Sequence, residues 1–554
     1  MQQKRILILG GAKNQVPLIQ AAKKEGYYVA VCDWTTTNPG LPLADHHYQV
    51  STLDREAVMK AAREANIDGV ISNSEPAMVN VAYVAGELGL VGNPVSAIEI
   101  LSSKKRFRDF QDEIELFAPR HTAVRRKDEF QKAVQEIGFP LIVKPSEGWS
   151  SNGTALFYSY NAPALEEAFE TCIRYSRNSF VSVEQYVEMP SLTLIDGDVF
   201  VSGDNILWNG MFFSKRERIA PMVPRTQSYP LKLDKDRMSV VKNSLKKVFS
   251  GLRIIHGEYN VEMYFDASGR LFIIEINCRQ GGNGIPAVIQ DHCGIDMYRL
   301  LVTTAVGDNE YLKEVAAGTD VMNYVSRHPV YSSVDGIYRG MYIDSEIKDY
   351  VTAVNEVKKI GDRVERVKNA KSVVGFVSME FPSYELQHRI VDRIEDLIYP
   401  LLETEVRIRI ADRDMPRERF LIFVNEAAPF LEPQLKGKGI TLKQYAEKLM
   451  EKGTAAYAVA GDDILGAVIG YAHDTPDNTS FISQVYILPS FRHRGFSRIL
   501  LREYCEYCKY LGIVKVWLTT RADNHIAQNA YEQAGFMKES NFESERVVKY
   551  YKDL

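Results

Sequence analysis

The chain lacks a long apolar run, an excess of charge of one sign and a paired set of cysteine motifs. With 67 Lys and Arg against 72 Asp and Glu, its formal net charge is −5, so no basic field draws it to nucleic acid or to an anionic bilayer. No apolar segment approaches the ~20 residues a membrane-spanning helix needs. Met1-Gln-Gln-Lys-Arg leads straight into a strand pattern, not into a secretory apolar region. Six cysteines (Cys32, Cys172, Cys278, Cys293, Cys505, Cys508) are scattered. Cys505-Glu-Tyr-Cys508 lies in a helical pattern, and no second pair exists to complete a zinc site. These absences point to a cytoplasmic protein with reduced thiols and with neither nucleic acid nor membrane as a partner. Gly10-Gly-Ala-Lys-Asn-Gln lacks the full GxGxxG spacing of a dinucleotide site. It serves either as a tight strand-to-helix turn or as a substrate loop.

At 554 residues the chain exceeds what one core can organise and divides into several domains. Lys4–Leu9, Tyr28–Cys32 and Asp68–Ser72 read as strands, with helices over 16–25 and 54–66 between them. This alternation predicts a doubly wound parallel sheet over residues 1–98. The loop Asp33 to Asp45 closes a strand end, where such sheets take ligands.

From Gly257 the pattern becomes a hairpin. Tyr259 to Phe265 alternates, Asp266-Ala-Ser-Gly269-Arg270 turns, and Leu271 to Ile276 returns. Alternation places Glu262, Glu275 and Asn277 on one face. Two carboxylates and an amide oxygen suit a hard divalent cation such as Mg²⁺ that shares its other positions with nucleotide phosphates. Glu275 lies within Leu-Phe-Ile-Ile-Glu-Ile, where an unpaired carboxylate is costly to bury. Arg279 adds a planar cationic fork for an anion beside the metal. Cys278, between two inward residues, faces away and is structural.

Upstream, residues 99–110 start a helix with Lys104 and Arg108 on one face. Phe139 to Lys144 is a strand ending in a lysine, and Ser146-Glu-Gly148-Trp-Ser-Ser151-Asn-Gly153 is a small-residue loop whose N–H groups can close on phosphate. An extended run, Phe180 to Val187, follows. In this order, a basic helix, a strand lysine, a glycine loop, Glu184-Gln-Tyr-Val187 and the two-carboxylate hairpin resemble the ATP-grasp ligases over about residues 1–400. The resemblance implies that Lys104 and Lys144 contact ATP phosphates and that Ser146, Gly148, Ser151 and Gly153 form a lid. It implies that Glu184 with Gln185, Tyr186 and Val187 reads adenine, that Glu262, Glu275 and Asn277 hold one or two Mg²⁺, and that Arg279 steadies the acyl phosphate or substrate carboxylate. Glu188 or Ser191 would meet the ribose. A basic stretch from Lys215 to Arg225 is either a substrate-carboxylate site or a solvated charge run. The implied layout is an ATP-grasp domain over 99–320 and a closing α+β subdomain of the ligase over 321–403, ending in a helix from Ser383 to Leu402.

After Glu405 the pattern restarts with strand Val406–Ile410, helices to about Glu451, and strands 455–460 and 466–471. A strand then runs through Ile487-Leu-Pro into Arg492-His493-Arg494-Gly495-Phe496-Ser497 and an amphipathic helix, which aims N–H groups at an anion. With Lys515–Thr519 and Asn524-His-Ile-Ala-Gln-Asn-Ala-Tyr531, this is similar to the GNAT N-acetyltransferases over 405–554. The resemblance implies acetyl-CoA pyrophosphate on residues 492–498, pantetheine at Ile487, CoA contact at Asn524, and Tyr531 as the acid for the leaving thiolate. No general base stands out among His473, Asp474 and Glu426.

The expected protein is an α/β and α+β multidomain enzyme with ATP, Mg²⁺ and acetyl-CoA as cofactors and small-molecule carboxylate and amine substrates, compatible with a homodimer. It would ligate the acid to the amine through an acyl phosphate and acetylate the product or a building block. The alternatives are a ligase regulated by a non-catalytic CoA-binding module and a bicarbonate-dependent carboxylase.

Overall fold

Four short runs of β-branched and aliphatic residues pair in parallel at the N-terminus, in the order His46–Gln49, Tyr28–Asp33, Arg5–Leu9, Gly69–Ile71. Helices Val16–Lys24, Arg55–Ala65 and Met78–Leu88 connect or flank them, as a right-handed doubly wound sheet requires. The computed structural model describes residues 3–148, 153–190, 192–217, 223–282, 284–318, 322–412, 417–437, 439–473, 476–540 and 546–554. The chain divides into two compact units, one of Met1–Arg216, Pro224–His328 and Ser378–Gln387, the other of Glu217–Val223, Pro329–Val377 and His388–Leu554.

The first unit holds two further sheets. One is antiparallel, ordered His121–Val124, Val181–Gln185, Leu141–Pro145, Ala155–Phe157. Helices Lys127–Ile137 and Ala162–Tyr175 bury Phe130, Val134, Leu165 and Phe169 against it. The other begins at the edge strand Leu271–Asn277 and continues through His256–Phe265, Thr193–Ser202, Asn205–Arg216, Pro224–Tyr229 and Tyr324–Val330. One core packs Phe107, Phe110, Val241, Leu245 and Phe249 against this sheet. Another joins Phe200, Phe212 and Tyr229 to Ile289, Leu300 and the first-domain residues Ile6, Ile8 and Ile19. Residues 99–110 expected as one helix start are two helices, Val95–Leu101 and Lys104–Glu113, broken at Ser102–Ser103. The break gives Lys104 a helix start of its own.

The second unit is built on a seven-stranded sheet ordered Arg407–Asp412, Thr454–Ala460, Asp463–Tyr471, Thr479–Ile487, Lys515–Arg521, Val547–Asp553, Met537–Lys538. The segment expected to end in a helix through Leu402 instead turns to strand. Helices Tyr384–Val391 and Ile394–Leu397 are followed by strand Ile398–Glu403, which pairs with Gly336–Ile343. Burying Ile398 and Leu402 in that pairing outweighs the helical spacing, and Pro400 opposes helix continuation. Val334, Tyr338, Val364, Val374 and Leu402 belong to the same buried cluster as Phe420, Leu465, Leu500 and Tyr504. Most of the segment read as the ligase's closing subdomain thus falls in the compact unit of the C-terminal sheet. No helix among the described residues is long and apolar enough to cross a membrane.

Candidate functional site

The hairpin pairs as its alternation predicts, with Glu262 opposite Glu275 and Asn260 opposite Asn277. Its turn closes because the Asp266 carboxylate accepts from the Ser268 and Arg270 N–H groups and Gly269 takes the left-handed φ of 81°. The next strand inward continues both pairs, since Asp196 lies opposite Glu262 and Asp198 opposite Asn260. Two polar rows therefore cross three strands: Asp196–Glu262–Glu275 and Asp198–Asn260–Asn277.

The three expected ligands are brought together on one face. Asn277 Nδ2 donates to Glu275 Oε1 at 3.2 Å and to Asn260 Oδ1 at 3.4 Å, which leaves the Asn277 amide oxygen turned from both. Burial opposes ionisation of Glu275, but Lys104, Asn277, Lys144 and Arg279 outweigh it and hold its carboxyl below the ordinary range. Glu262 is pushed upward by burial and by Glu275, against the pull of Arg216, whose guanidinium meets its carboxylate. Among the described residues no group of three His, Cys, Asp or Glu side chains is placed to hold a metal ion. The donor set is two carboxylates and an amide oxygen, which fits a cation completed by phosphate oxygens and water, as Mg²⁺ is.

Arg279 Nη1 donates to the Gln280 carbonyl at 2.7 Å, and Nη2 lies 3.7 Å from Glu75 Oε2. Glu75 was missed by sequence reasoning. It enters from the short helical turn Glu75–Ala77 of the N-terminal domain, and only folding brings it across some 200 positions to Arg279. Burial raises its carboxyl above the ordinary range, with Arg279 opposing and Glu275 reinforcing.

Beside the rows lies a buried cationic cluster. Lys144, at the end of its strand, places Nζ 2.8 Å from Glu184 Oε2. Arg108, fully buried, donates Nε to the same oxygen at 3.2 Å, and Ser182 Oγ reaches Glu184 Oε1 at 3.1 Å. The expectation that the Glu184 carboxylate reads an exocyclic amine thus meets a carboxylate already engaged by two cations and a hydroxyl. Burial disfavours the Glu184 anion, yet Arg108 and Lys144 hold its pKa down to about 2. Lys144 is pushed down to about 8 by burial, which the attraction of Glu184 does not overcome, with Arg108 and Lys104 adding repulsion. Positive charge exceeds negative here, so a polyphosphate is attracted to the cluster and raises Lys144 on binding. Affinity for Mg·ADP should therefore fall as pH rises above about 8, approaching tenfold per pH unit. Fluorescence titration of a labelled ADP between about pH 7 and pH 9.5 reads this, and Lys144→Met should flatten the profile. A wild-type affinity constant over that range would contradict it.

Lys104 donates its backbone N–H to the Ser146 carbonyl and its Nζ to the Gly148 carbonyl, both near 3.0–3.1 Å. It thereby ties the expected lid loop to the helix start. Gly153 bonds through its carbonyl to Cys172 Sγ at 2.9 Å. Ser151 and Ser191 lie outside the described residues. In the expected adenine segment, the Gln185 and Tyr186 N–H groups donate to the Arg120 and Pro140 carbonyls, while the Val187 carbonyl accepts from Tyr264 Oη.

In the second unit, strand Thr479–Ile487 pairs in parallel with Lys515–Arg521 only over Thr479–Ile482, while its other edge stays paired to Ile487. Past Ile482 the edge toward residues 515–521 is open, and Ile487 lies at that opening. The turn follows with His493 at φ 60° and Gly495 at φ 80°. Helix Phe496–Tyr510 begins without a side-chain cap and without an acid in its first turn. Its first N–H groups have no helical partner, a suitable place for pyrophosphate. Two of the expected side chains are committed elsewhere: Arg492 pairs with Asp396 at 2.6 Å and donates to the Ile487 carbonyl, and Arg494 donates to the Leu402 carbonyl at 2.7 Å. Backbone N–H groups, with His493, Phe496 and Ser497 exposed or half-buried, remain for the phosphates. Asn524 caps helix His525–Gln533 by accepting from Ala527 N–H. Tyr531 is buried against Tyr550 and Phe536, and burial pushes its phenol up to about 12, which keeps it a proton donor at neutral pH. Asp474 lies outside the described residues. None of the six cysteines forms a disulfide, and all are buried.

Three family models match the chain: PylC-like, N-terminal domain over residues 6–88, D-ala D-ala ligase C-terminus over 111–289, and the acetyltransferase (GNAT) family over 423–536. The chain is 24% identical over 340 residues to the carbamoyl phosphate synthase large chain of Clostridium acetobutylicum, covering 60% of this chain and 31% of that one. It therefore spans about a third of that relative's length. It is 23% identical over 342 residues to the formate-dependent phosphoribosylglycinamide formyltransferase of Prochlorococcus marinus, covering 60% and 85%. Among solved structures, the L-amino acid ligase of Bacillus licheniformis matches with a TM-score of 0.58 at 19% identity, over 73% of this chain and all of that one. The phosphoribosylglycinamide synthetase of Anaerococcus prevotii matches with 0.54 at 20%, over the same shares. At these identities the structural likeness speaks to fold.

Proposed function

We propose, for a chain that joins an ATP-grasp ligase region to a GNAT-family acetyltransferase domain, that the first unit ligates a carboxylate to an amine through an acyl phosphate and the second acetylates an amine of the product or of a building block. The observation that carries the ligase reading is Arg279 facing Glu75 beside the carboxylate rows. A cation and an anion a few ångströms apart match the carboxylate and ammonium of amino-acid-like substrates. Lys104 and Lys144 would neutralise the transferring phosphoryl group, and Arg279 would orient the carboxylate whose oxygen attacks γ-phosphorus as ADP leaves. The amine then adds to the acyl carbon, phosphate departs, and the ammonium proton is lost to solvent. Glu262, Glu275 and Asn277 would hold Mg²⁺, whose chemistry is to offset charge on the phosphate oxygens.

Glu75 would hold the ammonium of the incoming amine before it deprotonates. Glu75→Gln should raise KM for that substrate about ten- to a hundredfold, the worth of a charge-assisted hydrogen bond, with little change in KM for ATP. An equal rise in both would remove Glu75 from this role. The ligase reading itself is tested by ADP release over a panel of amino acids and small acids, with mass spectrometry of products with and without acetyl-CoA. Bicarbonate-dependent ADP release without any amino acid would favour the carboxylase reading. Absence of acetyl transfer to any free amine or dipeptide would favour a CoA-binding regulatory module.

A further inference from the structure

The proposed metal-facing side chains Glu262, Glu275 and Asn277 belong to two polar rows whose inner ends are buried aspartates. Gly197 separates those aspartates at φ 125°, in a position where a Cβ would collide with the Gly210 carbonyl. In the second row the inner groups are engaged with one another. Asn260 Nδ2 donates to Asp198 Oδ1 at 3.0 Å and to Asp196 Oδ1 at 3.3 Å, while its Oδ1 accepts from Asn277. Asp198 also accepts the Gly281 N–H at both oxygens, at 2.8 and 3.0 Å, and the Asn260 N–H donates to the Arg279 carbonyl at 3.1 Å. Glu258, two residues from Asn260 and 3% exposed, has its carboxyl pushed well above the ordinary range by burial and by the charge of Asp198.

We propose that Asp198 and Asn260 are positioning residues that set, from one buried point, both the amide of Asn277 toward the metal and the Arg279–Gly282 loop toward the substrate. The inference rests on the ligase reading above. An amide has one donor end and one acceptor end. By accepting from Asn277 Nδ2, Asn260 dictates which end of Asn277 faces the cation, and Asp198 dictates the orientation of Asn260 in turn. An unheld Asn277 could present its NH₂ to the metal, which repels it. Partners behind metal ligands are worth about 10–100-fold in metal affinity.

The test is Mn²⁺ binding in the presence of ADP, read from the electron paramagnetic resonance signal of free Mn²⁺, with no turnover involved. Asn260→Leu, close in size, should weaken Mn²⁺ binding about 10–100-fold, and Asp198→Asn should shift it in the same direction by less. Asn93 supplies a matched structural control. It holds the other end of the same strand through the Ile255 N–H, the His256 N–H and carbonyl, and Tyr259 Oη. Asn93→Leu should lower the melting temperature while leaving Mn²⁺ affinity unchanged. The proposal is overturned if Asn260→Leu folds and binds Mn²⁺ as the wild type does, or if Asn93→Leu weakens Mn²⁺ equally. A wild-type protein that binds no Mn²⁺ with ADP would overturn the ligase reading itself and this proposal with it.

Discussion

Glu275→Gln should abolish ADP formation, a loss of at least about 10²–10³-fold, while leaving acetyl transfer at the wild-type rate. The substitution keeps shape and removes one negative charge from the outer end of the Asp196–Glu262–Glu275 row. Glu275 is the carboxylate on which the positive groups converge, since Lys104, Lys144 and Arg279 all favour its ionised form. Glu262, by contrast, is largely answered by Arg216. A neutral amide at 275 forfeits the strongest anionic metal ligand and leaves those three cations repelling the metal. The two halves of the readout separate explanations. The sites proposed for ADP formation and for acetyl transfer lie in different compact units, so loss of both would mean that the units do not work independently. Retention of ADP formation within about tenfold would remove Glu275 from the metal set.

The opening strands, the hairpin and the shared face of Glu262, Glu275 and Asn277 could be read from the chain because each rests on local periodicity. Glu275 and Asn277 are two residues apart on one strand, and Glu262 faces them across a single turn. The rest of the site is non-local. Asp196 and Asp198 join the rows only because strand Thr193–Ser202 pairs beside His256–Phe265, and no spacing in the sequence announces that neighbour. Glu75 reaches Arg279 from another domain. Glu184 invited a role at the base edge because it sits in an extended run, whereas the two cations that claim its carboxylate, Arg108 and Lys144, lie on two other elements. The strand Ile398–Glu403 was hidden by a different conflict, an apolar pattern compatible with helix that tertiary pairing converts to strand. In the second unit the glycine turn and helix start were legible, but not the commitment of Arg492 to Asp396 and of Arg494 to the Leu402 carbonyl, since such partners leave no periodic signal.

Arg108→Met should cost the first unit about 3–5 kcal/mol of stability, the usual penalty for removing one partner of a buried ion pair. A basic residue on a helix face ordinarily snorkels to water, but Arg108 is wholly enclosed. Its guanidinium serves four acceptors, Glu184, Gln111 and the Ile273 and Ile274 carbonyls. Those carbonyls belong to the strand that carries Glu275 and Asn277, so Arg108 clamps the back of that hairpin to helix Lys104–Glu113. Methionine fills much of the volume and satisfies none of the acceptors. Lysine would restore charge but not the planar fork and should recover only part of the loss. The deficit has a defined pH dependence. The Glu184 pKa of about 2, against an ordinary 4.5, marks stability that is fully present above about pH 4.5 and is lost as pH falls toward 2. Arg108 supplies much of that depression, so the gap between wild type and Arg108→Met should narrow over the same interval. Chemical denaturation followed by loss of labelled-ADP binding, with acetyl transfer as the reference for the other unit, measures both effects. A variant within about 0.5 kcal/mol of wild type at pH 7, the range expected of an ordinary surface substitution, would show that the buried cluster is not what holds the hairpin in place.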